Sequence, residues 1–87
     1  MNKNEFIARL QENGIPPDIV SFDSITNDGY NIRKSKLRWE TFTRERGKEY
    51  DCIGFSSESD ALQHMLDELV AIYAGNYKSI EKYLWFE

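Results

Sequence analysis

Few residues in this chain have the type and spacing to do chemistry. Asp60, His64, Asp67 and Glu68 stand at i, i+4, i+7 and i+8, which sets them along one side of a helix. Three carboxylates around an imidazole make an acidic ridge suited to a basic partner, although a merely solvated helix face has the same composition. A zinc site needs three or four Cys, His or carboxylate ligands, and one Cys52 and one His64 do not supply them. A cysteine nucleophile needs a base beside it, and the only histidine belongs to a different element. There is no G-x-S-x-G, no glycine-rich phosphate loop and no catalytic carboxylate pair. The residues read as binding equipment, with no enzymatic role, metal or cofactor expected.

A second group follows from strand alternation. Leu37, Trp39, Thr41 and Thr43 alternate with Arg38, Glu40, Phe42 and Arg44, and the apolar pair Leu37 and Trp39 marks the first set as the core face. Glu40, Phe42, Arg44, Tyr50 and Cys52 then share the outer face. Aromatics exposed among charges are typical interface material; a covering segment such as Phe22 or the last helix would make them structural instead. The candidate partner-binding residues are Asp60, His64, Asp67, Glu68, Glu40, Phe42 and Tyr50.

The charge is unevenly placed. The net charge is −4, yet residues 33–48 hold Arg33, Lys34, Lys36, Arg38, Arg44, Arg46 and Lys48, and no base occurs from Glu49 to Tyr77. Basic residues with Trp39 and Phe42 among them could hold phosphates and stack bases. Against that, alternation splits them between two faces, the chain is acidic overall, and no RRM, KH or helix-turn-helix signature accompanies them. A small nucleic-acid-binding domain built on 33–48 is therefore the second reading.

Length limits what can position these groups. Eighty-seven residues make one domain, 1–87, with little room for a deep cleft. The lone cysteine excludes an internal disulfide and favours a reducing, cytoplasmic setting. No leader-like apolar run and no membrane-spanning run of about 20 residues is present.

The elements read as α-βββ-α-α. A helix from Lys3 to Asn13 carries Phe6, Ile7 and Leu10 on one stripe, with Asn2 or Asn4 to cap it and Gly14 to stop it. Pro16-Pro17 forbids continuation, and Ile15, Ile19, Val20 and Phe22 fold back over the core. Strands are expected over Tyr30–Arg33, Leu37–Arg44 and Tyr50–Phe55, with a hairpin at Glu45-Arg46-Gly47-Lys48. Short loops imply a three-stranded antiparallel meander. Serines and acids from Ser56 to Asp60 open a long helix, Glu58–Ala74, whose Leu62, Met65, Leu66, Leu69, Val70 and Tyr73 keep helical spacing. Gly75 ends it, and a short helix from Tyr77 to Trp85 follows. The class is α+β. The apolar end Tyr83-Leu84-Trp85-Phe86 docks on the core or serves as a sticky patch for a partner or a homodimer.

Three stretches carry a family resemblance. Asn4-Glu5-Phe6-Ile7 with Leu10 and Gly14-Ile15-Pro16, Trp39-Glu40-Thr41-Phe42-Thr43 with Arg44-Glu45-Arg46-Gly47, and Phe55-Ser56-Ser57-Glu58-Ser59-Asp60-Ala61 together resemble the small immunity proteins of bacterial polymorphic-toxin and contact-dependent growth inhibition systems. The resemblance implies a cytoplasmic inhibitor. It would bind the toxic C-terminal domain of a sister-cell effector, often a nuclease and basic where it holds phosphates, and mask its active site or substrate groove. No binding residue is implied, since these families diverge to fit individual toxins.

Overall fold

The structure is a computed structural model that describes residues 1–23 and 27–86, with side chains as far as residue 74. Its order is α1 (Lys3–Glu12), a single 3-10 turn (Pro17–Ile19), β1 (Val20–Phe22), β2 (Gly29–Ser35), β3 (Arg38–Glu45), β4 (Lys48–Phe55) and α2 (Glu58–Phe86).

Both helices start where their side chains can satisfy the first amides. Asn2 and Glu5 form a reciprocal capping box on α1, and Ser57 Oγ accepts from the Asp60 amide at 3.1 Å at the head of α2. Gly14, at φ +70, turns the chain out of α1. The α2 residues Ala61, Leu62, Met65, Leu66 and Leu69 are buried against Phe6 and Leu10 of α1, Ile15, Val20, and Ile32 of β2. Phe6 and Phe22 meet edge to face at 6.0 Å.

The sheet is four-stranded, in the order β1-β2-β3-β4. Here the expected three-stranded antiparallel meander needs correcting: β2, β3 and β4 are antiparallel, but β1 adds a parallel strand, with Val20 opposite Tyr30 and Phe22 opposite Ile32. Parallel neighbours ordinarily need a crossover of about a dozen residues. A shorter connection serves here because β1 is only three residues long, about 10 Å. Asp23, at φ 55, makes the turn, and its carboxylate accepts from the Lys34 amide at 3.2 Å.

Two further expectations change. The two C-terminal helices are one, since α2 runs on through Gly75 to Phe86; a lone glycine weakens a helix by only about 1 kcal/mol relative to alanine. The stretch Tyr83–Phe86 lies outside the described side chains. Leu37, expected on the core face, is 98% exposed, because Ser35 pairs with Arg38 and leaves Lys36 and Leu37 as the hairpin tip.

Candidate functional site

The β2–β3 hairpin fixes the sheet's outer face. With its tip at residues 36–37, Asn31 falls opposite Phe42 and Arg33 opposite Glu40. Ile32, between them, points to the helix side and joins the core, so Arg33, Glu40 and Phe42 point away from it. They are not left open to solvent. Phe42 is 2% exposed, with the Arg33 guanidinium over its ring at 4.3 Å. Arg33 Nε donates to Glu40 Oε1 at 2.8 Å, and its Nη1 and Nη2 reach both oxygens of Glu49 at 2.7 and 3.1 Å. Arg38 holds the other oxygen of Glu40 from Nε and Nη2 at 2.9 and 2.7 Å, and Arg44 lies 3.8 Å from Glu49.

The result is a lattice of three arginines and two glutamates spanning β2, β3 and β4. The Arg33 hydrogen bond is the main cause that holds the Glu40 carboxyl below the usual carboxylate range, with Arg38 adding to it. Arg33 likewise lowers Glu49. The guanidinium of Arg33 is in turn raised, chiefly by Glu49. Glu40 and Phe42, expected as exposed binding material, are therefore built into the fold. Their cover comes from Arg33, on the neighbouring strand, rather than from Phe22 or a helix.

Strand β4 departs from simple alternation. Thr41 pairs with Ile53 and Thr43 with Tyr50, so two β4 residues, Asp51 and Cys52, lie opposite Phe42 alone. This is a bulge, with Asp51 at φ 54. The extra residue puts Tyr50 on the helix side of the sheet with Ile53, not on the outer face with Glu40. Because β4 is an edge strand, Tyr50 and Ile53 remain 48% and 41% exposed there. Cys52 is free and exposed.

The four acidic-ridge positions are all on α2 as expected. Asp60 and Asp67 are exposed, while His64 and Glu68 are half-buried. His64 packs its ring on Phe55 at 5.1 Å, and its Nε2 lies 3.3 Å from Glu68 Oε2. That contact tips the ridge toward the β4 side of the molecule. Gln63 donates to Asp67 at 2.9 Å. Among the described residues, no lysine or arginine pairs with Asp60, Asp67 or Glu68.

The basic segment is divided. Arg33, Arg38 and Arg44 are engaged in the lattice. Lys34 and Lys36 lie at one end of β3 and Arg46 and Lys48 at the other. Eight strand residues separate these ends, about 27 Å at 3.4 Å per residue. Lys34 sits 5.7 Å from the Trp39 ring, on the helix side.

Arg33 and Glu49 were missed as members of a site. A hairpin tip placed at residues 36–37 would have found Arg33, because that register puts Arg33 across from Glu40. Among the described residues, no three His, Cys, Asp or Glu side chains gather as a metal-ligand set, and no helix is long and apolar enough to cross a membrane. Comparison with protein-family models, with curated proteins and with solved structures gives no match.

Proposed function

We propose that this protein is a stoichiometric inhibitor of the immunity class, which masks a basic protein domain with the acidic side of α2. One observation carries the reading: charges of opposite sign are treated differently by the fold. Arg33, Arg38 and Arg44 of the basic segment face carboxylates within the lattice. The carboxylates of Asp60, Asp67 and Glu68 meet no lysine or arginine among the described residues. An acidic surface without lysine or arginine partners repels nucleic acid and steers a basic protein toward it.

The same observation lowers the nucleic-acid reading. A phosphate-binding surface needs cations on one patch, and the remaining ones here sit at opposite ends of β3. The bound domain would be a toxin domain, basic where it holds its own substrate. Binding would mask that surface without covalent chemistry.

The test is co-expression with C-terminal toxin domains of candidate effectors, those encoded beside this protein's gene first. Restored growth and a complex of equal stoichiometry support the proposal. Growth arrest with no complex contradicts it, and so does full protection by substoichiometric protein.

A further inference from the structure

We propose that β4 is the contact edge of a homodimer, in which two copies pair their β4 strands antiparallel about an axis normal to the sheet between Asp51 and Cys52. This does not rest on the inhibitor reading.

The argument begins with the bulge. A two-fold axis normal to a sheet leaves each residue on its own face, so residues paired across it must already point the same way. In an unbroken strand, that forbids an axis between two consecutive residues. The extra residue in β4 removes the prohibition. Glu49 and Gly54 both lie on the outer face, opposite Arg44 and Glu40; Tyr50 and Ile53 both lie on the helix side, opposite Thr43 and Thr41; so do Lys48 and Phe55. Bulges ordinarily guard an edge by twisting it away from a second chain. Here the bulge decides where the edge can match itself, between Asp51 and Cys52.

The side chains that then meet are complementary. Tyr50 falls opposite the partner's Ile53, and Ile53 opposite the partner's Tyr50, so the two half-exposed apolar groups on this edge cover each other twice over. On the outer face Glu49 falls opposite the partner's Gly54. That glycine is roofed by Arg38, whose Nη1 would lie 2.5 Å from a Cβ at this position. The Glu49 and Arg38 side chains are 34% and 56% exposed, so each has surface left for the other across the axis. Lys48 comes opposite the partner's Phe55, whose ring carries His64 of the acidic ridge. The joined sheets make one continuous sheet with both α2 helices on the same side. Strand spacing and rise put the two Cys52 Cα atoms roughly 6 Å apart, within disulfide reach.

Light scattering on a sizing column at high micromolar concentration tests this. The expected mass is twice the 10.2 kDa of one chain, falling toward one chain on dilution. Copper-phenanthroline oxidation should then link Cys52 to Cys52. Ile53→Lys should restore the single-chain mass and abolish the cross-link while leaving the circular dichroism spectrum unchanged; Tyr50→Lys provides the same test if Ile53→Lys does not fold. A single-chain mass for the unaltered protein at high concentration overturns the proposal. So does a dimer that survives both lysine substitutions.

Discussion

Arg33 and Glu40 face each other across β2 and β3, Nε to Oε1 at 2.8 Å, and the same guanidinium covers the Phe42 ring at 4.3 Å. One side chain therefore joins two arguments about this sheet: how a carboxylate 5% exposed is stabilised, and how an aromatic on the outer face escapes water. Arg33→Ala removes both functions. It should destabilise the domain by about 1–3 kcal/mol, the range for a buried acceptor losing a charged donor. Arg33→Lys should recover less than half of that, because an ammonium cannot serve two carboxylates in a planar fork. Urea unfolding of the two variants measures the difference.

Phe42 belongs to the fold and not to an exposed anchor. Phe42→Ala should cost about 3–5 kcal/mol, as for other buried aromatics, and in a domain this small that approaches the whole stability. A thermal melt reads it. An unchanged melt combined with lost partner binding would return Phe42 to the interface.

The lattice also sets the acid limb of stability. Glu40 and Glu49 are lowered from their ordinary value of 4.5 by Arg33. Lowered carboxylates bind fewer protons in the folded chain than in the unfolded one. Their contribution is thus fully present above pH 4.5 and is lost as pH falls through the folded values. Stability should drop below that pH, and Glu40→Gln should flatten the drop while lowering the neutral plateau. Unfolding free energies measured across the acid range check both.

Much of this was legible beforehand, and the failures have definite causes. The Arg46-Gly47 tip was readable because a two-residue turn with both φ values positive, 52 and 81, favours glycine. The start of α2 at Glu58 was readable from its serines and acids. Strand β1 was not, since three residues after Pro16-Pro17 show no alternation. The bulge was not, because an aspartate at φ 54 looks like any aspartate in a sequence. Tyr50 was therefore given the wrong face. Phe42 was given the right face, but alternation does not say what lies on top of it; the hairpin register does, through Arg33.

The turn itself can be improved. Arg46 occupies the left-handed region at φ 52, where asparagine is better tolerated. Arg46→Asn creates the favoured Asn-Gly pair and should stabilise the hairpin by about 0.5–1 kcal/mol. Equilibrium unfolding would show the gain; a loss would mean that Arg46 makes a contact of its own.

The partition of charge between lattice and ridge is the centre of this account, and association kinetics with the basic toxin domain proposed as its partner test it most directly. The rate should fall as salt rises, since exposed charges act mainly on encounter. It should fall by at least about tenfold at low salt when Asp67 and Glu68 are both reversed to lysine. Neutralising Arg46 and Lys48 should not lower it. A rate indifferent to salt and to the reversal of Asp67 and Glu68, yet reduced by loss of Arg46 and Lys48, would contradict the account.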